Sequence, residues 1–165
     1  MKIKPKFEQS VERKLIGKKL VMSLADNRIS ELWREFNKML VDVPNRINEE
    51  LVSASVYPHN YFEAFDPTIG FERWAAAEVK DFDSVPPGME TLVIPAGLYV
   101  VFNYKGLSTD NSVFQYIYET WFPNSGYAPD SRPHFEILGK NYNNHNAQSE
   151  EQIWIPVKKR EGSRS

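Results

Sequence analysis

The chain has no cysteine in 165 residues, which excludes disulfides, thiolate metal sites and a cysteine nucleophile and accords with a reducing compartment. No apolar run reaches the roughly 18 residues of a membrane helix, and the opening Met1-Lys2-Ile3-Lys4-Pro5-Lys6 lacks the apolar centre of a signal peptide. A cytoplasmic location and no membrane role are the expectation. Glycine is sparse, with 8 residues, and builds no phosphate-cradling loop, dinucleotide fingerprint or nucleophile elbow. Positive charge is not in excess either: 20 basic against 22 acidic residues leave a net charge of −2, with one C-terminal basic cluster, Lys158-Lys159-Arg160. Direct nucleic-acid binding through phosphate neutralisation is therefore not expected.

Aromatic side chains are abundant. Four Trp, 8 Tyr and 10 Phe make up 13% of the chain, a rich share, although aromatic side chains usually serve to fill a core. The length suits a single domain, here expected over residues 1–165. Two amphipathic helices are legible. Ile29, Leu32, Trp33, Phe36, Met39, Leu40 and Val43 recur at helical spacing after Asp26-Asn27, which can cap the first turn, and Pro44 stops the run. Phe114, Ile117, Tyr118 and Trp121 form a second face after Thr109-Asp110, closed by Pro123 and Gly126.

Strand-like stretches run over about 11–24, 52–57, 73–79, 90–104, 133–139 and 152–158, so the element order is β-α-β-β, twice. The helix faces superpose at an offset of 85 residues (Ile29 with Phe114, Leu32 with Ile117, Trp33 with Tyr118, Phe36 with Trp121). The opening strands superpose at 80 through Gly17 and Gly97, and the closing strands at 80 through Trp74 and Trp154, as a duplication would require. The expected halves are approximately 7–82 and 88–159, joined at 81–88 through Val85-Pro86-Pro87-Gly88, with 160–165 a flexible tail. The long loops 58–70 and 140–148 either rim a cavity or form plain surface.

One residue departs from the apolar pattern. Glu136 lies mid-strand in Pro133-His134-Phe135-Glu136-Ile137-Leu138, on the face opposite Phe135 and Ile137. A carboxylate withdrawn from water costs roughly several kcal/mol unless it is paired, protonated or given a cation. An unpaired one predisposes its surroundings to a cation, and aromatic walls add about 0.5 to 2 kcal/mol of cation–π attraction each. Candidate walls are Tyr57 and Trp74 from the first half and Tyr99, Phe102 and Trp121 from the second. The plainer alternatives are core packing for the rings and, for Glu136, an exposed edge or an ion pair with Arg132 or Lys140. His134 with Glu136 is too small a set to mark a metal site.

Several segments occur in a telling order: Val85-Pro86-Pro87-Gly88-Met89-Glu90, then Ile94-Pro95-Ala96-Gly97-Leu98-Tyr99-Val100-Val101-Phe102 with Lys105-Gly106. Trp121-Phe122-Pro123-Asn124-Ser125-Gly126-Tyr127, Phe135-Glu136 and Ile153-Trp154-Ile155-Pro156-Val157 follow. Together they resemble the GyrI-like, or AraC-type, effector-binding family. That family includes drug-binding domains of multidrug-responsive transcription activators, stand-alone gyrase-inhibitory proteins and the SOUL-related haem-binding branch. The resemblance implies an α+β fold: duplicated β-α-β-β modules forming one antiparallel sheet, two helices on one side and a ligand groove at the module junction. Glu136 matches the family's groove glutamate. Phe71-Glu72-Arg73-Trp74-Ala75-Ala76-Ala77-Glu78-Val79 matches a family strand, with Ala76 where glycine is common.

Strand-like sequence from Val11 leaves no room upstream for a helix-turn-helix, so a stand-alone form is expected. No haem or other cofactor is expected, because His59, His134 and His145 lie in or beside loops and no helix presents one to a cleft. The expectation is a small-molecule binding protein that sequesters or senses an aromatic, cationic, lipophilic compound through Glu136 and an aromatic cage. Two alternatives come from the same family. One is a hydrolase of electrophilic small molecules, with Glu136 and Tyr99 as the general-base pair. The other is a gyrase-inhibitor-like module that meets a protein partner through the loop from Tyr61 to Phe71. Homodimerisation is left open.

Overall fold

The computed structural model describes residues 4–105, 112–139 and 150–160. Nine strands run in the order β1 (Lys6–Ser10), β2 (Arg13–Met22), β3 (Leu51–Val56), β4 (Phe71–Val79), β5 (Glu90–Ile94), β6 (Gly97–Lys105), β7 (Tyr127–Pro129), β8 (His134–Leu138) and β9 (Glu150–Lys159). Helix α1 (Ile29–Met39) and a single turn, Leu40–Asp42, lie between β2 and β3. Between β6 and β7 comes a second helical arm in three pieces: α2 (Ser112–Tyr116), a π-helical turn (Ile117–Trp121) and α3 (Phe122–Ser125).

The strands form antiparallel ladders in the order β1-β6-β9-β8-β3-β4-β2-β5, with β7 beside the end of β9. This is the expected α+β architecture. Its centre is the β3–β8 ladder, where Ala54 faces Phe135. Trp74 faces Ala54 on one side and Trp154 faces Phe135 on the other, so the two tryptophans occupy corresponding places about a pseudo-twofold axis. The outer strands cross over: β1 pairs with β6, and β5 pairs with β2.

The register corrects the alignment of the opening strands. Lys19 faces Trp74 and Val101 faces Trp154, so β2 and β6 correspond at 82 residues and Gly17 matches Tyr99 rather than Gly97. Gly17 pairs directly with Ala76, and a Cβ on it would run into the Ala75 carbonyl and come within 2.6 Å of the Ala76 Cβ. The space that a family glycine would leave at position 76 is supplied from across the ladder by Gly17. The strand expected over 90–104 is interrupted at Pro95-Ala96, and the one expected from Val11 is preceded by a separate strand, β1.

Helix α1 starts where Asn27 Oδ1 accepts a hydrogen bond from the Ile29 N–H at 3.0 Å, and it lays Leu32 and Phe36 on Ile16, Met22, Phe71, Ala75 and Val79. The second arm lays Val113, Ile117 and Phe122 on Val100, Phe102, Ile153, Ile155 and Val157. Leu32 and Ile117 correspond as expected, but the π turn adds a residue, so Phe122 rather than Trp121 takes the buried place of Phe36. Ala75, Ser53, Glu136 and Ile153 face one another in sequence across the ladders, which puts both helices on one face of the sheet.

The opposite face carries a cluster from strands alone, including Leu15, Trp74, Tyr99, Phe135 and Trp154. Phe135 stacks on Trp154 with ring centroids 5.3 Å apart. Among the described residues no helix is long and apolar enough to cross a membrane. Lys140 to Gln148, Thr109-Asp110 and most of the expected tail lie outside the described residues. Arg160, at the tail's start, is held by the carbonyls of Tyr127 and Phe122.

Candidate functional site: the cleft between the helices

Helix α1 covers β2 and β4 and the second arm covers β6 and β9, which leaves the central strands β3 and β8 uncovered between them. A cleft of about 1890 Å³ opens there, flanked by Trp33 of α1 and by Phe114, Tyr118 and Phe122 of the second arm. That is larger than one drug-sized molecule needs, so the groups on its floor, more than its shape, must set selectivity.

The floor is polar. Arg73 from β4 donates from Nε to Ser53 Oγ at 2.9 Å and from Nη1 to Ser55 Oγ at 3.0 Å. Its Nη2 lies 3.6 Å from Glu136 Oε1, and both side chains are 16% exposed. Glu136 is therefore not the unpaired carboxylate expected: among the described residues its partner is Arg73 rather than Arg132, and Lys140 lies outside them. Arg132 is occupied with Asp130 and the carbonyls of Leu98 and Val157. Glu151, reached from β9, is 8% exposed and hydrogen-bonded to Glu136. Burial first, and then the Glu136 charge, push its carboxyl up to about 9, so at neutral pH Glu151 is protonated.

Above the floor is a cluster of rings. Tyr57 lies 4.9 Å from the His134 ring, 4.5 Å from Tyr61 and 5.1 Å from Phe71, centroid to centroid. Phe62, brought over by the loop between β3 and β4, stacks on His134 at 5.1 Å and on Tyr118 at 5.4 Å. Tyr118 OH lies 3.3 Å from His134 Nδ1. Burial raises the phenols of Tyr57 and Tyr118, which keeps both neutral.

Of the side chains singled out from sequence, the structure brings Glu136 and Tyr57 together in the cleft. Trp74 and Tyr99 sit on the opposite face of the sheet, Tyr99 with its hydroxyl donating to the Pro95 carbonyl at 2.9 Å and Arg132 over its ring at 4.8 Å. Strand alternation thus keeps Tyr99 from pairing with Glu136 as a general base. Phe102 shares the helical face but is fully buried beneath the second arm, with Trp121 edge-on to it at 5.3 Å. Among the described residues no group of three or more His, Asp and Glu is placed to hold a metal. His59 belongs to the loop at the cleft's edge, and His145 lies outside the described residues.

Arg73, Glu151, Ser53, Ser55, Tyr118 and Phe62 were not anticipated from sequence. For Arg73 and Glu151 the signal was weak: Arg73 follows Glu72 at the start of its expected strand, and Glu151 lies between Glu150 and Gln152, one residue before the strand expected over 152–158.

His134 gives the site a pH signature. Burial holds its imidazole down at about 3, whereas the unfolded chain titrates it near 6.5. The unfolded state therefore binds the extra proton first, and stability is lost as pH falls below about 6.5. Glu151 acts in the opposite sense: raised from 4.5 to about 9, it costs stability as pH rises from 4.5 towards 9. The two offset between roughly 4.5 and 6.5 and each contributes a slope of up to about 1.4 kcal/mol per pH unit outside that window. Thermal unfolding across pH 3–9 should show a plateau there, and His134→Phe should remove the acid limb and let the Glu151 decline begin from about pH 4.5.

The model of the family described as Cass2, integron-associated effector binding protein, matches residues 7–157. The structure is similar to that of SAV2435 bound to tetraphenylphosphonium, with TM-score 0.70 and 16% identity, covering 96% of this chain and 94% of that one. It is similar to the EcmrR C-terminal domain, with TM-score 0.70 and 17% identity over 96% and 99%. It also resembles an integron cassette protein from the mobile metagenome of Vibrio cholerae, VCH_CASS2, with TM-score 0.60 and 16% identity over 93% and 95%. No curated protein matches the chain by sequence.

Proposed function

We propose, since the chain belongs to the Cass2 family of integron-associated effector-binding proteins, that its cleft takes up lipophilic aromatic cations and that the protein senses or sequesters them. One observation carries the reading: the Glu136 carboxylate lies on the floor of a cleft whose walls are the rings of Trp33, Tyr57, Phe62 and Tyr118. Flat rings give contact area without demanding a fixed hydrogen-bond pattern, which suits ligands of varied shape, and the carboxylate selects their charge. SAV2435, which shares the fold, has been seen with tetraphenylphosphonium, and this makes that cation the natural probe.

The test is titration of the protein with tetraphenylphosphonium and with neutral triphenylphosphine oxide, read by tryptophan fluorescence, since Trp33 lines the cleft. Micromolar binding of the cation, about −8 kcal/mol, with the neutral compound at least roughly tenfold weaker, is the expected result. Equal affinity for the two would remove the charge argument.

A second reading has one observation in its favour. Phe65, on the loop between β3 and β4, is 83% exposed, as a contact residue for a protein partner would be. Phe65→Ser would abolish such a contact, which pull-down of the partner would read; Phe65 also borders the cleft, so the cation titration is not the control.

A further inference from the structure

Resting on the cation-binding reading, we infer that Glu151 is a second ligand-binding carboxylate, and that a bound cation replaces the proton which Glu136 and Glu151 share. Each monocation entering the cleft would release one proton to solvent.

The geometry supplies the argument. Leu138 faces Glu151 and Glu136 faces Ile153 across the β8–β9 ladder, so the two glutamates are diagonal neighbours on the helical face. Their side chains hydrogen-bond to each other, and two carboxyl groups can do so only with a proton between them. Arg73 from β4 acts on both and balances one negative charge, not two. Among the described residues, the other groups facing the pair are neutral: Ser53 and Ser55 from β3, Tyr57 just after it, His134 from β8 and Tyr118 from the second arm; Tyr104 stands opposite Glu151 on β6. Glu49 and Glu119 lie at the rim in solvent.

On its own the floor therefore carries Arg73 positive, Glu136 negative and Glu151 neutral. A neutral floor attracts a cation weakly. The same floor after loss of the shared proton carries a net charge of −1, which only an incoming cation would stabilise so far from water. Cation uptake and proton loss are then two halves of one exchange, in which the O–H bond of Glu151 breaks and its proton leaves to buffer. The high titration range of Glu151 supplies the proton throughout neutral pH. By linkage, cation affinity should rise about tenfold per pH unit between pH 6 and 8, and that of a neutral ligand should not change.

The test is calorimetric titration of the intact protein with tetraphenylphosphonium at pH 7.5 in phosphate and in Tris, whose ionisation enthalpies differ. A buffer dependence equivalent to one released proton, absent in Glu151→Gln, is the expected result. Binding of the same cation with no proton released overturns this inference and leaves the cation reading in place. No binding at either pH 6 or pH 9 overturns both. The pH slope of the wild-type affinity measures the same proton release without the variant. Glu151→Gln is isosteric with the protonated acid, so its fold should be retained.

Discussion

Replacing Arg73 by methionine is expected to cost about 3 to 5 kcal/mol of stability at neutral pH, the largest effect of any single change at this site. Methionine fills the volume of the guanidinium stem but leaves Glu136 without its counter-ion 3.6 Å away. It also takes the donors from Ser53 and Ser55, whose hydroxyls receive Arg73 Nε and Nη1. The penalty should shrink as pH falls and Glu136 takes up a proton, which distinguishes loss of charge balance from loss of packing. Urea unfolding at pH 5 and pH 7.5 would read the difference. Arg73→Lys should recover only part of the loss, because one ammonium cannot meet both serines and the carboxylate in a fixed plane. Any population of Arg73→Met that stays folded should bind cations more tightly than the wild type, since the negative charge in the cleft is then uncompensated. A change that weakens the fold and strengthens the ligand is a pattern that general damage would not produce.

The second large effect belongs to the carboxyl pair. Glu136→Gln alone is expected to weaken tetraphenylphosphonium binding by only about tenfold, or about 1.4 kcal/mol, because Glu151, freed of its like-charged neighbour, ionises beside Arg73 and takes over. The double change Glu136→Gln with Glu151→Gln leaves Arg73 as the uncompensated charge on the floor. Cation affinity should then fall by clearly more than the product of the two single losses, while triphenylphosphine oxide binds as before. Additive effects of the two single changes would argue against a shared proton, because coupled groups substitute for one another.

What could be read from sequence divides along a physical line. Helix α1 was legible because its apolar stripe has a local period and nothing distorts it. The second arm was legible as far as Ile117, and then the π turn moved Trp121 out of the buried stripe and Phe122 into it, a shift of phase that composition does not announce. Strand β1 was missed because Lys-Phe-Glu-Gln-Ser carries one apolar residue and pairs with β6, some 90 residues away in the chain.

Glu136 stood out as a lone carboxylate among apolar neighbours. Arg73 and Glu151 sit next to Glu72 and Glu150, so alternation does not say which of each adjacent pair turns inward. The misplacement of Trp74 and Tyr99 has the same root. Within a strand, parity can be counted, but whether Trp74 shares a face with Glu136 depends on the registers of β4 with β3 and of β3 with β8. Those ladders join strands far apart in sequence and put Ser53, not Ala54, on the floor beside Glu136. Family resemblance located the groove; the rings that line it come largely from the loop between β3 and β4, where no periodicity exists to be read.

The central claim is that a lipophilic cation sits over the β3–β8 junction, between α1 and the second arm. Locating the arsenic of tetraphenylarsonium by anomalous diffraction in crystals of the complex tests it most directly. The account predicts one peak in the cleft, within ring-contact distance of Tyr57 and Tyr118 and on the side of Glu136 and Glu151. A peak on the opposite face against Trp74, Tyr99 and Trp154, or no peak from crystals soaked to saturation, would contradict it.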